Sequence, residues 1–76
     1  MNQMLRPDIE AAAHEILTHL ESHGDAPLMA MKNALGRRDL HFYMGLGDLI
    51  LKQRVSIQNR EGVFWAIRVP PAAKAA

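Results

Sequence analysis

Ile9, Ala13, Ile16, Leu17 and Leu20 recur at helical spacing through an otherwise polar stretch, which predicts a first helix over about Pro7 to Ser22 with one buried face. Pro7 suits the first helical turn, and Asp8 and Glu10 complement the positive end of the helix dipole. Gly24 follows the last periodic residue as a C-terminal cap. A shorter second helix is predicted over about Ala26 to Leu35, with Leu28, Met31 and Leu35 on one face. Asp25 is its candidate N-cap, Pro27 falls in its first turn, and Gly36 ends it. The third helix starts near Arg38 or Asp39 and runs to about Gln53, its inner face set by Phe42, Gly45, Leu46, Leu49 and Ile50.

The hydrophobic period then changes. In "VSIQNREGVFWAIRV" two β-rich runs flank Asn59-Arg60-Glu61-Gly62, which is a hairpin signal with glycine in the turn. Val55 and Ile57 share one face of the first strand, and Trp65, Ile67 and Val69 share one face of the second. Trp65 is predicted to pack beneath the hairpin, leaving Phe64 to the first helix or to a partner. Pro70-Pro71 ends the sheet. The order helix, helix, helix, hairpin defines an α+β, mainly α fold. One domain is expected over residues 7–69, with a flexible N-terminus (1–6) and a disordered Pro-led tail (70–76).

The tight turn "LGRRD" between the second and third helices has the form of a helix-turn-helix connection. Together with the segment "FYMGLGDLILKQRVSI" and the hairpin after it, it resembles the winged helix-turn-helix superfamily, in particular small bacterial and archaeal winged-helix proteins. In those proteins an alanine-leucine-glycine-aromatic-leucine run precedes a basic residue and a β-strand. Gly45, Leu46, Gly47, Asp48 and Leu49 occupy that run here, with Asp48 where an aromatic is common. The resemblance spans about Pro7 to Val69 and implies three helices followed by a two-stranded β-hairpin wing. Most winged helices bind DNA and some only dock proteins, so the fold alone does not settle the function.

The resemblance implies that the outer face of the third helix enters the major groove of double-stranded DNA. Arg37 and Arg38 stand at its N-terminal end, where arginine can bind guanine bidentately, and His41 and Tyr43 are placed for phosphate. Lys52, Arg54 and Arg60 are candidates for the DNA backbone, Arg60 from the wing tip. Met44 completes this candidate set, touching thymine methyls. On this reading the chain is a small cytoplasmic transcriptional regulator or accessory factor. Leu40 and Met44, however, stand where polar base-reading residues are usual, and Asp48 repels phosphate.

The alternative uses the same helix. Leu40, Met44, Gly47 and Leu51 form an apolar stripe with a small residue at its middle, suited to close approach of another helix on a protein partner; a homodimer formed through another surface is compatible with either reading. A blander outcome is that Leu40 or Leu51 folds back onto the hairpin or the first helix.

Composition adjusts this picture modestly. Nine basic and eight acidic residues leave a net charge of +1, so any basic footprint must be local. With no cysteine there is no disulfide or thiolate metal site, which fits a reducing compartment. A domain of this size buries only about 60% of its unfolded surface. The N-terminus has no signal-peptide pattern, and no apolar run spans a bilayer. Glu15, His19 and His23 share a helical face at metal-ligand spacing, but a third or fourth ligand is lacking beyond Asp25, and a solvated polar face is the simpler reading. Met29 and Met31 point to different faces. Gly45 and Gly47 lie inside a helix, not in a phosphate loop, and no nucleophile elbow or paired carboxylate occurs. No enzyme activity, cofactor, metal, membrane or small-molecule ligand is expected.

Overall fold

The computed structural model describes residues 2–70, with side chains over 5–70. Its elements follow the order α1 (Asn2–His23), β1 (Ala26–Pro27), α2 (Leu28–Leu35), α3 (Asp39–Leu51), β2 (Val55–Arg60) and β3 (Val63–Arg68). The fold is a small, mainly helical α+β domain with a three-stranded antiparallel sheet in the order β1-β3-β2. The expected tail at 71–76 lies outside the described residues.

α1 begins at Asn2, so residues 2–6, expected to be flexible, are helical and Pro7 lies inside the helix. Proline's fixed φ is helical, and its missing N–H forgoes one backbone bond near the helix start. The other end follows expectation: Gly24 has φ +80°, and its N–H donates to the Leu20 carbonyl at 2.8 Å.

The start of the second helix differs from expectation. Ala26-Pro27 is a strand pairing with β3, Ala26 opposite Ala66 and Pro27 opposite Trp65. Pro27 holds an extended backbone (φ −59°, ψ 136°), and a residue before proline is pushed to the same region, so both residues extend. α2 therefore begins at Leu28 with Pro27 at its cap and no side-chain cap bond. Asp25 is not the N-cap; its carboxylate binds Arg60 instead. Gly36, left-handed at φ +66°, closes α2 as predicted.

α3 stops at Leu51, two residues short of the predicted end. Gln53 takes a left-handed φ of 59° and donates to the Ile50 carbonyl, while the Arg54 N–H donates to Leu49 at 2.8 Å. These paired bonds satisfy the last helical carbonyls and turn the chain into β2. The hairpin loop is shorter than the predicted four residues. Glu61 and Gly62 alone form it, both with positive φ, which matches the twist of the flanking strands. The Gly62 N–H donates to Asn59 Oδ1 at 2.8 Å.

The core gathers Ala13, Ile16 and Leu20 of α1, Met31 of α2, Phe42, Leu46 and Leu49 of α3, and Ala26, Val55 and Ala66 of the sheet. Two expected placements differ. Trp65 is not the residue that meets the helices: Ala66 is, fully buried, and Trp65 lies half-buried on the opposite sheet face. Ile50 is exposed rather than part of the inner face of α3. The small pair Ala26 and Ala66 lets the helices sit close to the sheet.

Gly45 is the closest point of the α1–α3 packing. A Cβ there would stand 2.9 Å from the Ala13 amide nitrogen and 3.0 Å from the Ala12 Cβ, with backbone that cannot swing aside. Gly47, two residues on and nearly opposite around the helix, has nothing within 4 Å. The two glycines should therefore respond with opposite signs. Gly45→Ala should destabilise by about 1–3 kcal/mol through overpacking, whereas Gly47→Ala should stabilise by about 0.5–1 kcal/mol through helix propensity. Thermal or urea unfolding of both variants checks this, and a stabilised Gly45→Ala would disprove the packing account.

Candidate functional site

The inward turn of Phe42, Gly45, Leu46 and Leu49 leaves an outer face on α3. Leu51 is 85% exposed and Leu40 58%, and Met44 is exposed beside them, with Gly47 half-covered between. Neither leucine folds back onto the rest of the domain. The stripe seen in the sequence is thus a surface. It continues across to α1 as a shallow apolar groove lined by Ile9, Met44, Gly47, Asp48, Ile50 and Leu51. Periodicity alone places Ile9 and Ile50 on buried faces. Their partial exposure follows from the rotation of α3 against α1, which the helical period does not specify.

Charge frames this groove in pairs. Lys52 Nζ lies 3.0 Å from Asp48 Oδ2, one turn away on α3, and Arg6 lies 3.8 Å from Glu10 on α1. The rim therefore carries both signs in balance.

Several of the residues proposed for DNA contact have other engagements. Arg37 makes a bidentate pair with Glu15 of α1: Nε donates to Oε1 at 2.8 Å and Nη2 to Oε2 at 2.9 Å. Arg60 donates to Asp25 at 2.8 Å and to Gln58 at 2.6 Å, and its guanidinium lies 4.7 Å from the Trp65 ring centroid. His41 is mostly covered, its Nε2 3.8 Å from Asp8 Oδ2. Tyr43 is exposed and edge-on to Phe42, at 5.2 Å between ring centroids. Arg54 is half-buried, with Nε lacking a hydrogen-bond partner. Arg38 caps the start of α3, is exposed, and makes no side-chain bond to the described residues. The eight residues thus do not converge: Arg37 turns to α1, Arg60 to the α1–β1 connection, and only Arg38, Tyr43 and Met44 stand open on α3. Asp25 and Glu15 are the acidic partners that the linear reading did not pair with these arginines.

Elsewhere, the His19 and His23 rings stack at 4.3 Å, and His23 Nδ1 lies 3.1 Å from the His19 carbonyl oxygen. Among the described residues no group of three or more His, Asp or Glu is arranged to hold a metal ion. A second apolar patch joins Pro27, Leu28 and Met29 to Val63 and Phe64 at the hairpin tip. Among the described residues no helix is long and apolar enough to cross a membrane.

Two titrations tie stability to pH. The hydrogen bond from Arg37 holds the Glu15 carboxyl below its ordinary 4.5 despite some desolvation. Burial, and then the neighbouring His23, lowers His19 below its ordinary 6.5. Both folded-state values are depressed, so each contribution is present above the ordinary value and is lost as pH falls through the depressed one. Acidification should therefore weaken the fold in two stages, one beginning below about pH 6.5 and one below about pH 4.5. His19→Gln should remove the first stage and Glu15→Gln the second, as read from melting temperature against pH. An unchanged profile in either variant would disprove that assignment.

Comparison of the chain with protein-family models, curated proteins and solved structures returns no match.

Proposed function

We propose that this domain is a protein-interaction module, and that the outer face of α3 is where it docks. The observation that carries this reading is a contrast: the outer face of α3 opens an exposed apolar groove from Ile9 to Leu51, while Arg37 in the preceding turn and Arg60 on β2 are already bonded to Glu15 and Asp25. Exposed apolar patches rimmed by polar residues mark interaction surfaces. Ion pairs that must be broken before phosphate is bound reduce what electrostatics can contribute to DNA affinity.

The scaffold, on this proposal, is a winged helix-turn-helix. α2, the Gly36 turn and α3 form the helix-turn-helix, β2 and β3 the wing, and β1 a third strand against β3. The element order and the strand pairing support this assignment.

A second reading, double-stranded DNA binding by a small regulator, rests on Arg38, exposed and without an acidic partner among the described residues at the start of α3. It predicts amide NMR shifts at Arg38, Tyr43 and Met44 when a mixed-sequence duplex is added at low salt, lost as salt rises. The interaction reading predicts none.

The direct test places a photo-crosslinking residue, benzoylphenylalanine, at Leu51 and, as control, at exposed Glu21 on α1. In the cells that make the protein, Leu51 should yield a discrete protein adduct and Glu21 should not. No adduct from Leu51, or the same pattern from both positions, would remove this face as the interface.

A further inference from the structure

Leu40, Met44, Gly47 and Leu51 are separated by four, three and four residues, a spacing that reads the same in both directions. At about 100° per residue the four lie within an arc of about 60°, forming one seam along the exposed side of α3. Intervals of three and four are those of a helix-pairing seam, in which side chains of one helix enter the gaps of another.

We infer that the occupant of this face is a second copy of the same chain, with the two α3 helices antiparallel about a two-fold axis that passes between Met44 and Gly47. This rests on the interaction-module reading and names its partner. A two-fold interface must be complementary to itself, and the seam is. Antiparallel pairing about that axis sets Leu40 opposite Leu51 of the second copy, and Met44 opposite Gly47 of the second copy. The most exposed apolar side chains, Leu40 and Leu51, meet each other at both ends. The long, flexible Met44 meets the one position on the seam with no side chain and open space above it. Tyr43 and Ile50, both exposed on the same flank, are brought beside each other across the axis.

The charges agree with a like partner. Asp48–Lys52 and Arg6–Glu10 each neutralise locally, so two identical rims meet without net repulsion and can exchange partners across the axis. The whole chain carries only +1, which opposes self-association very little. A strongly charged partner would find no matching field on this face.

The test is sedimentation equilibrium of the full chain from micromolar to millimolar concentration. The parent should approach twice its 8.5 kDa mass. Leu51→Asp and Gly47→Gln should each remain monomeric, with association weakened by more than about tenfold. Both should keep the parent's circular dichroism, since Leu51 is outside the core and a Cβ at Gly47 meets nothing. The exchange Met44→Gly/Gly47→Met moves the knob to the hole and the hole to the knob, and in the antiparallel register it should restore the dimer. Failure of that double variant to dimerise overturns the register. Dimers persisting in both single variants place the contact elsewhere and overturn the proposal. A parent that stays monomeric throughout also overturns it; the interaction reading itself would then stand or fall on whether Leu51 crosslinks to a different protein.

Discussion

Gly45 lets the α3 backbone lie directly against Ala12 and Ala13 of α1, at a distance no side chain at that position would permit. This contact fixes α3 in rotation as well as in position. Once Gly45 faces α1, Phe42, Leu46 and Leu49 must turn into the core, and residues about half a turn away must turn out. The outward set is Leu40, Met44, Gly47 and Leu51. The same contact therefore builds the core and creates the apolar surface, and the two glycines of the "GLG" run have opposite roles because they are about 200° apart on the helix. The neighbouring elements follow: Met31 of α2 and the small residues Ala26 and Ala66 of the sheet complete the packing that α1 and α3 begin.

Charge is arranged with a second constraint. The domain is small and leaves much of its surface in solvent, so its ionic side chains are free to find partners at that surface. They do so between elements: Arg37 with Glu15 joins the α2–α3 turn to α1, Lys32 with Asp39 joins α2 to α3 at 2.8 Å, and Arg60 with Asp25 joins the hairpin to the connection before β1. Each is partly exposed and individually modest in energy. Their larger effect is on recognition. They pair Arg37 and Arg60 with carboxylates within the domain, so that part of the basic set read along the sequence is neutralised, while Arg38 stays exposed at the start of α3.

Much of the fold was legible because local rules dominated locally. Gly24 and Gly36 were readable as helix ends, since glycine adopts the left-handed φ of such caps without strain. Met31, Phe42, Leu46 and Leu49 were readable as core from their spacing. The hairpin was readable from the change of period and from Gly62. The misreadings share one cause. Asp25 before Ala26-Pro27 looks like a cap, but that role is available only if the helix starts there; pairing with β3, a distant segment, made Ala26-Pro27 a strand. Trp65 looks like the obvious core residue of its strand, yet the strand register turns Ala66 toward the helices, where it is fully buried.

The sequence by itself determined the number and order of the helices, the hairpin, and the outward stripe at Leu40, Met44, Gly47 and Leu51, because helical periodicity is a property of neighbours along the chain. Only the tertiary structure decided which charges remained available and which apolar residues joined the stripe. Glu15 and Arg37 are 22 positions apart, and Asp25 and Arg60 are 35 apart. No local pattern can couple groups at such separations; folding brings them within hydrogen-bonding distance, and in the same way sets Ile9 of α1 beside Ile50 and Leu51 of α3.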